Sequence, residues 1–275
     1  MENIESGEAS GGEIQSVQRV GQICSLFGPH TTELTAAEIA ERLGLNRTTA
    51  YRYCASLVTA GILERGHSRG TFVLGGLMLQ LGMHALGRRR VIKIAPPFMA
   101  ELTNAVRMTT VLAVWGARGP IVALVNEDIS RTVMVTVHTG SQLDLDFAQM
   151  KVFLACQDEH AFERATEGVS DTKRAEIEAG VYMARRNGYS IASHSDGLFS
   201  AAAPVFDEYG ICATVALLGA DQMADLSYGS PALTQLLHTA VALSAELGGD
   251  HEKMRAAGPL GAESGGQERR RVADV

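Results

Sequence analysis

Apolar positions recur at helical spacing in two adjacent stretches between Thr35 and Ala60, and the polar residues between them mark where each helix begins and ends. In T-A-A-E-I-A-E-R-L-G, Ala37, Ala40 and Leu43 share a face, with Ile39 beside the stripe. Thr35 followed by Glu38 has the spacing of a capping box. Gly44 sits where the helix must stop, because glycine reaches positive φ without a Cβ clash. Leu45 plugs the turn and Asn46 caps a second helix. That helix turns Ala50, Tyr53, Cys54, Leu57 and Val58 inward, and its other face opens with Arg47, Thr48, Thr49, Tyr51 and Arg52. Small residues at Ala40 and Ala50 allow the close crossing that a helix-turn-helix needs. An ordinary helical hairpin with a solvated polar face has the same pattern. The polar first turn of the second helix also suits a DNA major groove: arginine for guanine edges, threonine and backbone amides for phosphate.

The flanks extend this unit. Ile14 to Leu26 carries a helical stripe, with Ser16 as a cap candidate and Gly28-Pro29 as the stop. After Gly61, the runs Ile62–Arg65 and Thr71–Leu74 are β-prone and joined by G-H-S-R-G, which predicts a hairpin, or wing. His67 and Arg69 lie at its tip; His67 reads equally as a solvated loop residue. Gly75 to Arg90 is apolar at Leu77, Met78, Leu81 and Leu86 and predicts a linker helix, or a helical pair, that packs against another helix, expected to come from a second subunit. Arg88-Arg89-Arg90 is a solvated hinge or, alternatively, a phosphate contact.

The pattern then changes. A helix from Ala95 to Val106, with Pro96 and Pro97 near its first turn, precedes three β-runs at Thr109–Trp115, Ile121–Glu127 and Thr132–His138. Helices follow at Phe147–Gln157, Asp158–Thr166 and Ser170–Asn187, the last ended by Gly188. Strands at Tyr189–Ala192, Leu198–Phe206 and Ile211–Gly219 and a helix from Pro231 to Leu247 complete an α+β domain with one sheet. The expected division is a tail (1–13), a winged helix-turn-helix (14–75), a linker helix (76–93), an α+β domain (94–248) and a tail (249–275), both tails expected to be disordered.

Charge sharpens this division. The 275 residues carry a net charge of −7, which seems wrong for a DNA binder. Residues 15–93, however, hold ten basic residues against four acidic ones, whereas 1–14 and 94–275 are both acidic. A basic module on an acidic body fits phosphate binding by one domain. Cys24, Cys54, Cys156 and Cys212 have no zinc or redox spacing and read as buried thiols in a reducing cytoplasm. No apolar run reaches the ~18 residues of a membrane span, so no membrane partner, metal or cofactor is expected.

The succession S-V-Q-R-V-G-Q-I-C-S-L-F, N-R-T-T-A-Y-R-Y, A-G-I-L-E-R and T-F-V-L-G, continued by G-S-Q-L-D-L-D-F-A-Q-M-K-V-F-L-A, N-G-Y-S-I and A-A-A-P-V-F-D-E-Y-G, resembles the IclR family of bacterial transcriptional regulators. The resemblance covers about Ile14 to Leu247. It implies a winged helix-turn-helix with a GAF-like effector-binding domain, homodimers or tetramers on double-stranded operator DNA, and a small organic effector; both repressors and activators occur in the family, and repression is the expected mode here. The DNA-binding candidates are Thr35, Asn46, Arg47, Thr48, Thr49, Tyr51 and Arg52, with Arg65 and Arg69 on the flanking backbone.

By the same resemblance, effector contacts fall at Asp146, Met150, Ser190, Ser200, Ala216 and Leu218, and these depart from the family pattern. Asp144 and Asp146 replace the Pro and His of G-x-x-x-P-L-H, and Met150 replaces the Gly of A-x-G-K, while Lys151 keeps the Lys. Ser200 stands at a usual cysteine, Ser190 near a usual acid, and Ala216 and Leu218 where serines are usual. A small carboxylate needs converging donors. The expected effector is therefore larger or more apolar than glyoxylate or pyruvate, an aromatic or acyl compound, or else the domain only oligomerises. A hydrolase reading would rest on Ser193-His194-Ser195-Asp196-Gly197, but residues so close in sequence rarely converge on one reacting atom, and no G-x-S-x-G elbow exists.

Overall fold

A computed structural model describes residues 14–130, 135–194, 197–220 and 225–249. These form two compact units that divide between Arg89 and Arg90. The expected tails lie outside the described residues.

The first unit contains α1 (Gln15–Cys24), β1 (Leu34–Thr35), α2 (Ala36–Leu43), α3 (Arg47–Thr59), β2 (Leu63–Arg65), β3 (Thr71–Leu74) and α4 (Gly76–Gly87). Thr35 and Glu38 make the expected capping box: the Glu38 amide donates to Thr35 Oγ1 at 3.2 Å, and the Thr35 amide donates to Glu38 Oε2 at 2.7 Å. Gly44 takes φ 62° and ends α2, and the Leu45 amide then reaches back to the Ala40 carbonyl. Asn46 Oδ1 accepts from the Thr49 amide at 2.7 Å to start α3. Ala40 and Ala50 are buried in one core with Ile23, Ile39, Cys54, Leu57 and Phe72. Ser16 is not a cap. The helix already begins at Gln15, after Ile14, whose side chain has no cap bond.

The wing is a three-stranded sheet in the order β1-β3-β2. Its third member, β1, pairs Leu34 with Phe72 and was not expected, since two residues are too few to show alternation.

The second unit contains α5 (Arg90–Val106), β4 (Thr109–Trp115), β5 (Pro120–Asn126), α6 (Ala148–Ala155), α7 (Glu159–Ala165), α8 (Asp171–Asn187), β6 (Ser190–Ser193), β7 (Leu198–Asp207), β8 (Gly210–Ala220) and α9 (Pro231–Glu246). The strands form one antiparallel sheet in the order β5-β4-β8-β7-β6. Alternation sorts its residues. Phe199, Ala201, Ala203 and Val205 of β7 and Ala213, Val215 and Leu217 of β8 pack with α5 and α9. Ala202 and Ala216, of opposite parity, pack with Ala148 and Val152 of α6. The domain is therefore α+β, with helices on both faces of its sheet.

Two expectations change here. The helix predicted from Ala95 starts at Arg90, so Arg90 to Lys93 belong to it and Pro96 and Pro97 lie inside. Neither proline can donate to the carbonyl four residues back, so the helix continues past them without those two backbone bonds. The run Thr132–His138 is not a third consecutive strand among its described residues, 135–138. The outer edge of β5 is already taken by residues 140–143: Gly140 donates to the Val122 carbonyl, Val122 to Ser141, and Leu143 to Pro120. The Val135 carbonyl instead accepts from the Thr109 hydroxyl.

Because the Thr35 hydroxyl and the Glu38 carboxylate satisfy each other's chain ends, Thr35→Ala should cost about 1 kcal/mol of stability in the first unit. Chemical denaturation followed by Tyr53 and Tyr51 fluorescence would check this; an unchanged midpoint would show that the cap contributes nothing.

Candidate functional site

Two features stand out, one in each unit. In the first, α3 buries Ala50, Cys54 and Leu57 and exposes Arg47, Thr48, Tyr51 and Arg52 on the opposite face. The exposed set clusters at the helix N-terminus, where the unpaired amides and the helix dipole favour an anion. Asn46 is exposed with its Oδ1 committed to the Thr49 amide, and Thr49 is half-buried. Thr35 lies at the start of α2, its hydroxyl held by Glu38.

The wing adds Arg69 at its exposed tip and Arg65 on β2. Arg65 is exposed and folds back onto its own unit: its Nη2 donates to the Tyr51 hydroxyl at 3.3 Å, and the guanidinium lies 4.7 Å from the Phe72 ring centre. Glu33 braces the tip. Its carboxylate accepts from the Ser68 amide at 3.0 Å and from the Thr71 and Ser68 hydroxyls.

Charge in this unit is unbalanced in use as well as in number. Residues 14–89 hold eight arginines and four glutamates. Three of the glutamates are tied into the fold: Glu33 at the wing tip, Glu38 in the capping box, and Glu64, which accepts from the Gly76 amide at 2.7 Å.

The second feature is a cavity of about 470 Å³ over the α6 face of the sheet. Val135, Val137, Phe147, Leu198 and Leu218 give it apolar walls, while Asp144, Asp146, Lys173 and Glu176 form its charged side. Lys173 Nζ is 2.5 Å from Asp146 Oδ1 and 3.1 Å from Glu176 Oε2. The bond to Asp146, then that to Glu176, holds the Lys173 ammonium above the ordinary lysine range. Lys151 lies between α6 and α8, its stem against Gly180, where an added Cβ would come within 3.0 Å of Lys151 Cδ. Burial pulls the Lys151 pKa down, against the pull of Asp146 and Glu176.

His194 connects the cavity to the sheet. Its ring centre is 4.6 Å from that of Phe147, and its Nε2 is 3.1 Å from Ser200 Oγ. Ser200 Oγ in turn accepts from the Ala148 amide at 3.0 Å. Phe147 has no capping side chain, so a serine from β7 caps α6 across the layer.

The sequence-derived effector positions separate. Asp146 and Leu218 line the cavity, and Ser200 touches it through His194. Met150 does not line it: α6 turns that side chain into a cluster with Leu154, Ile177 and Val181. Ser190 is buried on the edge strand opposite Ala202, and Ala216 is covered by α6, so neither lines the cavity. Sequence reading missed Phe147, Lys173, Glu176 and Leu198, and it considered His194 for catalysis and not as a cavity residue. The parity of Leu198 with Ser200 on β7 was the available signal. Ser195 and Asp196 lie outside the described residues, and among the described residues no group of three or more metal-ligating side chains could hold an ion. No helix there is long and apolar enough to cross a membrane.

Known proteins match both units. Residues 16–67 match the IclR helix-turn-helix domain, and residues 83–245 match the bacterial transcriptional regulator IclR C-terminal domain. The HTH-type transcriptional regulator XynR of Escherichia coli K12 is 24% identical over 86% of this chain and 98% of its own. KipR of Bacillus subtilis is 28% identical over 69% of this chain and 80% of its own. Among solved structures, Pseudomonas aeruginosa HmgR superposes with TM-score 0.62 at 26% identity, covering 85% of this chain and 97% of HmgR. An IclR homologue from Microbacterium hydrocarbonoxydans, solved with 4-hydroxybenzoate, gives 0.67 at 23% identity, covering 84% and 98%.

The Glu33 brace sets a pH dependence. Its hydrogen bonds, that from Thr71 first, hold the carboxyl below the ordinary glutamate value of 4.5. A depressed acid stabilises above its unfolded value and loses that contribution as pH falls through its folded value. The Ser68 amide resonance should therefore stay constant from neutrality down to the ordinary range and titrate with a midpoint below 4.5. Glu33→Gln should abolish the titration, and a midpoint at or above the ordinary value would contradict the brace.

Proposed function

The chain belongs to the IclR family of bacterial transcriptional regulators, and on that premise we propose that it is an operator-binding repressor released or retained by a small organic effector. It is a DNA-binding regulator and not an enzyme. In this reading α3 enters the major groove. Arg47 and Arg52 read base edges, Thr48, Thr49 and the amides after Asn46 hold phosphate, and Tyr51 sits on the same face. Arg69 reaches the flanking backbone from the wing. Thr35 and Arg65 flank this surface, the Thr35 hydroxyl bonded to Glu38 and Arg65 Nη2 to the Tyr51 hydroxyl.

Two copies of the chain are expected to act together, as a dimer or a pair of dimers. Helix α4 supports this: it buries none of its own residues and exposes Leu79, Leu81, Met83 and Leu86. A helix apolar around most of its circumference needs a partner face.

The effector half of the reading is carried by the cavity beside His194. Its volume of about 470 Å³ and its five apolar wall residues suit a ligand of aromatic or acyl size. Its lysine already faces two carboxylates, so a small acid such as glyoxylate or pyruvate finds few uncommitted donors. The 4-hydroxybenzoate seen in the Microbacterium homologue is a ligand of the right scale to try first.

Two measurements test this. Arg47→Ala or Arg52→Ala should weaken operator binding by roughly 1–3 kcal/mol at physiological salt and relax preference at one base pair; unchanged affinity in both would remove α3 from the interface. In thermal-shift and calorimetric titrations, aromatic acids and acyl compounds should include a binder that raises the midpoint. Leu198→Trp should abolish that binding while leaving DNA affinity intact. Tight binding of glyoxylate or pyruvate would overturn the size argument.

A further inference from the structure

Among the described residues, Arg65 is the one arginine of the proposed DNA surface whose guanidinium is held by three contacts within its own unit. On β2 it stands opposite Phe72 of β3 in the antiparallel register. Phe72 is fully buried in the core of the unit. The guanidinium lies 4.7 Å from the Phe72 ring centre and 5.6 Å from that of Tyr51, and it donates to the Tyr51 hydroxyl at 3.3 Å. Tyr51 meets Phe72 edge-on, with ring centres 6.5 Å apart. A planar guanidinium stacked on one ring and bonded to the next fixes both position and direction, which a lysine ammonium does not.

We propose that Arg65 is a positioning residue that orients Tyr51 for operator recognition by clasping it against Phe72, and that it does not itself neutralise a phosphate. The proposal rests on the reading of α3 as the DNA-contacting helix. Tyr51 is exposed on the same face as Arg47, Thr48 and Arg52. Accepting a hydrogen bond from Arg65 leaves the Tyr51 hydroxyl its own proton to donate to a phosphate oxygen or a base acceptor. The clasp also joins the wing to the recognition helix, so that the two present one preset surface. Arg69 contrasts with it: exposed at the tip, it has no hydrogen bond or ion pair among the described residues and is placed to meet phosphate.

The two roles have different signatures. A phosphate contact weakens all sequences alike and lowers the salt slope of binding by about 1 when it is removed. A positioning residue lowers preference for the right sequence and leaves the slope unchanged. The experiment uses the full-length protein, the duplex it selects from a randomised library, and a scrambled duplex, each titrated over a series of KCl concentrations. Arg65→Ala should reduce the selected-to-scrambled affinity ratio about tenfold, the scale of a single base contact, with the wild-type salt slope. Arg69→Ala should lower the slope and keep the ratio. In a Tyr51→Ala background, Arg65→Ala should change the ratio little further.

Arg65→Lys keeps the charge and loses the planar clasp, so it should behave as Arg65→Ala does. It carries the same comparison should the alanine variant fail to fold. A slope lowered by about one with an unchanged ratio would make Arg65 a phosphate ligand and overturn the proposal. So would full rescue by lysine, or an equal loss with and without the Tyr51 ring. Loss of binding in Arg47→Ala and Arg52→Ala tests the α3 assignment separately, so the two failures are distinguishable.

Discussion

A strand must offer its residues to opposite faces in turn, and the second unit depends on β7 and β8 obeying this over their whole length. One parity gives Phe199, Ala201, Ala203 and Val205 to α5 and α9. The other gives Ser200 and Ala202 to α6. The residues between the layers are small, so α6 approaches closely enough for a β7 hydroxyl to cap its first turn. A slip of one residue would turn Ser200 into the apolar layer and Ala201 toward the cavity. Sheet register and cavity geometry are thus one constraint: the serine hydroxyl that starts α6 also holds His194 at the cavity wall.

The first unit depends on an analogous economy of size. Ala40 and Ala50 permit the crossing of α2 and α3, and Gly44 reverses the chain between them. Caps at Thr35 and Asn46 then fix where each helix begins, and so which side chains the second presents. The surface of α3 is set by its buried side.

Most of this architecture was legible because it follows from local rules. Caps, turn glycines and period-two runs placed fifteen of the elements closely, and Gly188 and Ser170 bounded α8 as read. The misreadings share a cause in non-local competition. Residues 135–138 have strand composition, but 140–143 had already taken the edge of β5. Pro96 and Pro97 look like a helix start, yet Val91 and Ala95 are drawn into the core a turn earlier and extend the helix backward past them. The candidate site was legible in part. Asp146, Leu218 and Ser200 fell at or beside the cavity, whereas Met150, Ser190 and Ala216 pack elsewhere, because position along a motif does not say which face a side chain takes. Lys173 and Glu176 come from a helix distant in sequence and carry no local signal.

The glutamates of the first unit bear on how such a protein can be altered. Engineers seeking tighter DNA binding commonly neutralise acids near the interface, on the argument that each repels phosphate. Here Glu33, Glu38 and Glu64 are acceptors for the wing tip, the start of α2 and the start of α4. Replacing them with alanine removes repulsion and, with it, the bonds that shape the first unit. Among the described residues, Glu41 is the exposed glutamate of the four without such a bond, so its removal changes charge without touching a cap or the wing.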